Sequence, residues 1–99
     1  MFDIEFNNDG QVAMQGRLDA ANAPTALQFL DQVSGDCVIN MAQLDYISSA
    51  GLGVLLQTHK RLMASGAGLK LIEVNHHISD IFSYSGFDQL FDIARRASP

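Results

Sequence analysis

Asp45-Tyr46-Ile47-Ser48-Ser49-Ala50-Gly51-Leu52-Gly53 is the stretch that decides the fold, because it joins an apolar run to a long amphipathic one through two adjacent hydroxyls. Upstream, Cys37-Val38-Ile39-Asn40-Met41 has the length and composition of a buried strand. Downstream, Leu52, Leu55, Leu56, Leu62 and Met63 recur at helical spacing and give a helix one buried face. That stripe runs to Ser65-Gly66, where the glycine can take the left-handed conformation that closes a helix. The order is strand, loop, helix, with Ser48 and Ser49 at the helix's amino-terminal end.

A hydroxyl at that position has two uses. The first turn of a helix leaves backbone N–H groups without internal partners, and a serine oxygen can accept from one of them. The same unpaired donors, with the helix dipole, favour a phosphate, so a phosphoserine there is compatible with the fold. Phosphorylation would add roughly −1.5 to −2 charge and three strong acceptors to a surface loop, which suffices to repel a partner that needs the loop close and neutral. Gly51 and Gly53 cost helix stability without offering a side chain, which points to close approach by a partner's backbone.

The flanking chain completes an α/β layout. Phe2, Ile4 and Phe6 alternate with polar residues, Asn7-Asn8-Asp9-Gly10 signals a turn, and Val12, Met14 and Gly16 alternate again, which predicts an amino-terminal hairpin. Asn22 can cap a helix with Pro24 in its first turn and Ala23, Ala26, Leu27, Leu30 and Val33 on its apolar face, ended by Gly35. Leu69 to Val74 reads as another strand. A further helix is expected around Ser79 to Ser85, burying Ile78, Ile81 and Phe82, with Phe87, Leu90, Phe91 and Ile93 packing the last segment onto the core. Strands separated by helices favour parallel pairing with right-handed crossovers. The expected architecture is a mixed, mostly parallel sheet of four to five strands with an amino-terminal hairpin and three to four helices.

With 99 residues and 47% hydrophobic content the chain is read as one domain, residues 1–99, near the size at which a single apolar core suffices. No apolar run approaches the ~20 residues that span a bilayer, and Met1-Phe2-Asp3-Ile4-Glu5 lacks the features of a signal peptide, so a cytoplasmic protein is expected. A single Cys37 agrees with a reducing compartment. The formal net charge of −5 argues against nonspecific nucleic-acid binding, which needs an excess of Lys and Arg.

Other chemistry-bearing residues have plainer readings. His76 and His77 are adjacent, point about 100° apart on a helix, and read as solvated residues at a helix start rather than metal ligands. His59 falls on the apolar stripe and suits partly buried packing. Cys37 reads as a small core residue, Met14, Met41 and Met63 as core filler, and Arg95 and Arg96 as solvated. The serines lack the Gly-x-Ser-x-Gly elbow of a hydrolase, and the carboxylates are scattered rather than set against a candidate base. No catalytic residue, metal or cofactor is expected.

With its flanks, the serine segment resembles the anti-sigma factor antagonists of the STAS domain class, whose members show an apolar strand followed by Asp-Ser-Ser/Thr/Ala-Gly-Leu-Gly opening a helix. Gly16-Arg17-Leu18-Asp19-Ala20-Ala21-Asn22-Ala23-Pro24 is similar to the family's Gly-x-Leu-Asp segment, and Ile81 to Phe91 is similar to its final helix, glycine and terminal strand. The resemblance covers nearly the whole chain. It implies that Ser49, two residues before the first glycine, is the phosphorylated residue. Ser48 stands where the family usually has Asp and is a second possible acceptor.

The resemblance further implies a partner-switching regulator of transcription. Its unmodified form would bind an anti-sigma factor that is also a serine kinase and so release a sigma factor. Phosphorylation of Ser49 would end the contact, and a serine phosphatase would restore it. The regulator would need no cofactor, since ATP belongs to the kinase. Asp19, Asn22, Ser48, Gly51, Gly53 and Gln57 are the candidates for the contact face, and a monomer or weak dimer is expected. The alternative within the family is a constitutive STAS adaptor, on a transporter ATPase or in a sensory assembly, with Ser49 serving only the helix.

Overall fold

The computed structural model describes residues 1–95, and these form one mixed sheet with helices on one face. The strands are β1 (Phe2–Phe6), β2 (Val12–Leu18), β3 (Cys37–Ile47), β4 (Leu69–Val74) and β5 (Asp92–Arg95), and they lie in the sheet in chain order. The hairpin pair β1–β2 is antiparallel and each later pair is parallel. The helices are α1 (Ala23–Leu30), α2 (Ser49–Ala64) and α3 (His76–Ser85), with a 3-10 turn at Phe87–Gln89 before β5. Successive right-handed crossovers that always step in the same direction put α1, α2 and α3 on the same face.

The burial of alternate strand residues follows from that one-sided layering. In β2, Val12, Met14, Gly16 and Leu18 are buried under the helices, while Gln15 and Arg17 face solvent on the open side. Ile39, Met41, Leu44, Leu71, Leu55, Leu62, Ile78 and Phe82 are fully enclosed and form the centre of the core. The hairpin turn is held by the Asn7 side chain, whose Oδ1 accepts from the N–H groups of Asp9 and Gln11, and Gly10 takes the positive φ of +76° that the turn requires.

Several boundaries differ from the sequence reading. β3 does not stop at Met41 but continues to Ile47, where a loop was expected. Its register against β2 slips twice, between Ala13 and Gln15 and between Gly16 and Arg17, so β3 carries extra residues. Those bulges let Leu44 and Ile47 face the core although they break the alternation set by Cys37, Ile39 and Met41. α1 ends at Leu30 rather than at Gly35. The Leu30 carbonyl there accepts from Arg61 Nη2 of α2 at 2.8 Å, and the chain turns back toward β3 as the Gln32 N–H donates to the Phe29 carbonyl and the Val33 N–H to the Leu30 carbonyl.

α3 starts at His76, three residues before the expected Ser79, because Asn75 caps it: Asn75 Oδ1 accepts from the Ile78 N–H at 2.9 Å. Met14 and Met41 are core residues, but Met63 is 59% exposed, since it points off the buried stripe of α2 that Leu62 beside it completes. Leu90 is likewise 49% exposed, while Phe91 beside it is buried among Phe82, Phe87 and His59. Arg95 is exposed and Arg96 lies outside the described residues. Among the described residues no helix is long and apolar enough to cross a membrane.

Candidate functional site

The carboxyl-terminal ends of β2 and β3 meet the amino terminus of α2, and the two serines sit at that junction. The Ser48 N–H donates to the Leu18 carbonyl at 2.9 Å, which ties the end of β3 to the end of β2. Ser48 is extended (φ −92°, ψ 174°) and is the N-cap of α2: its Oγ accepts from the Gly51 N–H at 3.2 Å and its carbonyl accepts from the Leu52 N–H at 2.9 Å. Its hydroxyl is therefore committed to the fold and the residue is half-buried. Ser49 is the first helical residue, is exposed, and its hydroxyl makes no hydrogen bond with any described residue. The two hydroxyls, one residue apart, have different occupations.

This geometry also explains the departure from the family pattern. Asp and Ser are both strong N-cap residues because each places an oxygen where it can accept from the N2 or N3 amide. Ser48 fills that structural part without the carboxylate's charge.

The glycines separate in the same way, and here the sequence reading needs correction. Gly51 is buried, and a Cβ added to it would meet Ile47 Cγ1, Leu18 Cγ and the Leu18 carbonyl oxygen, each at 2.8 Å. The backbone that approaches Gly51 closely is the protein's own β2, so Gly51 belongs to the interior and not to a contact face. Gly53 is exposed and a Cβ there would meet nothing within 4 Å. No packing within the chain requires a glycine at that position.

Ser49, Gly53 and Gln57 follow one another at four-residue intervals, so they line one exposed helix face with about 6 Å between neighbours. Asp19 and Asn22 reach the same end of the sheet through the turn after β2, since Asp19 follows the Leu18 that holds Ser48. Asn22 does not cap α1 as the sequence suggested: its backbone is helical (φ −97°, ψ −10°), so its side chain turns away from the helix's own amides. Its Nδ2 donates to Asp19 Oδ1 at 2.9 Å and to the Arg17 carbonyl at 3.1 Å, which makes the Asp19–Asn22 turn rigid. The structure thus gathers Asp19, Asn22, Ser48, Ser49 and Gly53 at one end, extends the face to Gln57, and removes Gly51 from it.

Arg17 and Tyr46, which the sequence reading passed over, stand beside this end on the open sheet face. They pair in register across β2 and β3, and the Arg17 guanidinium lies 4.3 Å from the Tyr46 ring centroid. Alternation along Arg17-Leu18 and Tyr46-Ile47 places both opposite to the core, but only the bulged register of β3 brings them together.

No His, Lys or carboxylate is hydrogen-bonded to either serine hydroxyl among the described residues, and the grooves of about 430 Å³ beside β1 and about 440 Å³ beside Cys37 lie elsewhere. His76 and His77 are exposed in the first turn of α3, His76 Nε2 being 3.5 Å from Asp80 Oδ2. No group of metal-binding side chains occurs among the described residues. His59 is partly buried, edge-on to Phe91 with ring centroids 5.1 Å apart. Cys37 is buried, and that burial raises its thiol pKa while Arg61 draws it partway back.

Comparison with known proteins places this geometry. The STAS domain pattern matches residues 3–97. BtrV of Bordetella bronchiseptica is 36% identical over 85 residues, covering 82% of this chain and 73% of BtrV. The anti-sigma-B factor antagonist of Bacillus subtilis is 30% identical over 99 residues, covering 96% of this chain and 91% of its own. Among solved structures, the Bacillus anti-sigma factor antagonist SpoIIAA shares the fold at 19% identity. Its unphosphorylated form superposes with a TM-score of 0.67 (99% of this chain, 90% of SpoIIAA) and its phosphorylated form with 0.68 (95% and 91%).

Proposed function

The chain belongs to the STAS domain family and is a homologue of anti-sigma factor antagonists, and on that premise we propose that it binds an anti-sigma factor with its serine end and is switched off by phosphorylation of Ser49. The observation that carries this reading is the division of labour at the helix start: Ser48 holds the fold and Ser49 holds nothing. A phosphate on Ser49 would add charge to the exposed face without breaking a hydrogen bond. It would also lie beside the unpaired amides of the first turn, where a negative charge stabilises by about 0.3–1 kcal/mol. That a protein of the same fold has been solved in a phosphorylated form supports the compatibility of fold and phosphate.

In this reading the partner is an anti-sigma factor with serine kinase activity, and a serine phosphatase resets the switch. The chain itself catalyses nothing and acts in the cytoplasm. Asp19, Asn22, Gly53 and Gln57 form the contact face with the Ser49 hydroxyl at its centre, and Ser48 supports it from beneath.

The test combines the chain, a candidate anti-sigma factor kinase, and ATP. Mass spectrometry of the modified peptide should locate phosphate on Ser49, and the kinase should bind the unmodified chain at least about tenfold more tightly than Ser49→Asp, a difference of about 1.4 kcal/mol. Equal binding by both forms would leave a constitutive adaptor instead. Phosphate on Ser48 would move the switch to the capping residue.

A further inference from the structure

A second contact surface, separate from the serine face, is built into the outer edge of β1. β1 is a marginal strand of the sheet. The Met1 carbonyl accepts from the Arg17 N–H at 3.0 Å and the Asn7 N–H donates to the Gln11 carbonyl at 2.8 Å, so the odd-numbered residues turn their backbone groups toward β2. Direction alternates along a strand, and the N–H and C=O groups of Phe2, Ile4 and Phe6 therefore point away from the sheet. Among the described residues the Ile4 N–H meets only the carboxylate of its neighbour, Asp3 Oδ1, at 3.1 Å. An unpaired row of this kind is a template for another strand.

The two faces of that edge differ in chemistry. Phe2, Ile4 and Phe6 lie opposite Gly16, Met14 and Val12 on the helix side. There a groove of about 430 Å³ runs between β1 and α1, lined by Phe2, Ile4, Thr25, Gln28, Phe29 and Gln32, with Asp3 also bordering it. Phe6 continues it, half exposed, with its ring 5.0 Å from that of Phe29. On the other face Asp3 and Glu5 are exposed and neither is ion-paired among the described residues. Arg17 on the same face is held over Tyr46.

We propose that the β1 edge receives an extended segment of a partner protein in which apolar side chains alternate with Lys or Arg. Residues of that segment opposite Phe2, Ile4 and Phe6 enter the groove against α1, and the alternate residues come to lie beside Asp3 and Glu5. Docking hands the Ile4 N–H to a backbone carbonyl and frees the Asp3 carboxylate for a cation. A second copy of this chain is the wrong occupant: antiparallel pairing of two β1 strands about Ile4 sets Asp3 against Glu5, and like charges directly across a ladder repel. The formal net charge of −5 acts in the same direction.

The probe is the peptide acetyl-Lys-Val-Lys-Val-Lys-Val-Lys-amide, titrated into the full chain by calorimetry while amide hydrogen exchange is followed residue by residue. Expected are slowed exchange at Phe2, Ile4 and Phe6, and an affinity that falls roughly tenfold in an Asp3→Lys, Glu5→Lys double variant. Ile4→Pro, which removes an outward N–H and no ladder bond, should abolish binding. Ser49→Asp should leave peptide binding unchanged, so this result stands apart from the phosphorylation switch. Unchanged exchange at the three amides under saturating peptide would overturn the proposal. Equal binding of the Glu-for-Lys peptide, or of a Lys-Pro alternating peptide that carries the same charge but cannot pair as a strand, would also overturn it. So would exchange slowed by protein concentration alone, because a second copy would then fill the edge.

Discussion

Ser48 and Ser49 are the same amino acid in adjacent positions, yet the Ser48 hydroxyl is bonded to the Gly51 amide and the Ser49 hydroxyl to no described residue, and their substitution should differ accordingly. Ser48→Ala removes a cap and should cost about 1 kcal/mol in chemical denaturation. Ser49→Ala should stay within about 0.5 kcal/mol of the unmodified chain, as exposed substitutions do. Ser48→Asp, which restores the family's residue, should keep the cap and match or exceed the parent's stability. The two glycines make a similar pair. Gly51→Ala drives a Cβ against the Leu18 carbonyl, a backbone atom that cannot swing aside, and should destabilise by about 1–3 kcal/mol. Gly53→Ala meets open space, so it should stabilise α2 by about 0.5–1 kcal/mol and, if the proposed contact face is right, weaken partner binding. A Gly53→Ala variant that gains stability and binds as before would remove Gly53 from the contact face.

Helix ends in this chain are secured mostly by local sequence, and the end of α1 by a neighbouring helix. α3 is capped by its own preceding Asn75, whose Nδ2 also donates to the Leu44 carbonyl at 3.0 Å and so fastens the helix start to β3. α1 lacks a side-chain cap at its start and borrows Arg61 from α2 at its end. Arg61→Ala should therefore cost about 1.5–3 kcal/mol, the range for a hydrogen bond that involves a charged group. Asp31→Ala, which removes only the looser and more exposed ion pair at 3.9 Å, should cost less than about 0.5 kcal/mol. Equal losses in the two variants would show that the ion pair, and not the carbonyl contact, secures α1. The bulges of β3 have a comparable effect on function. By inserting residues against β2 they bring Tyr46 under Arg17 and carry Ile47 and Ser48 to the end of β2, which is where the candidate site is assembled.

For the molecule as a whole, one buried acid gives a pH dependence with a definite sign. Cys37 opens β3 inside the core and its thiol pKa is raised by burial, an effect Arg61 partly opposes. Below the unfolded chain's thiol pKa, about 8.5, both states keep the proton and stability is unaffected by this group. Above it the unfolded chain ionises first, so stability falls as pH rises toward the folded value. The midpoint of urea denaturation should decline from pH about 8 to about 10. A Cys37→Ala variant, although less stable throughout, should decline less steeply over the same interval. Parallel slopes in the two proteins would assign the alkaline loss to other groups.

Periodicity and punctuation along the chain were enough to establish the α/β class, the hairpin, the parallel sheet, and a serine pair at the mouth of a long helix, because each is a local pattern of apolar spacing and turn chemistry. The family motif likewise depends on consecutive residues and is legible in the sequence alone. Three other features needed the folded chain: which serine is the cap, which glycine is interior, and how far β3 extends. Each depends on contacts between residues distant in sequence, such as Leu18 against Gly51, Arg61 on Leu30, and the slipped register of β3 on β2. Adjacent serines or near-adjacent glycines look equivalent in a string of letters, and they differ only once neighbouring strands and helices surround one and leave the other in water.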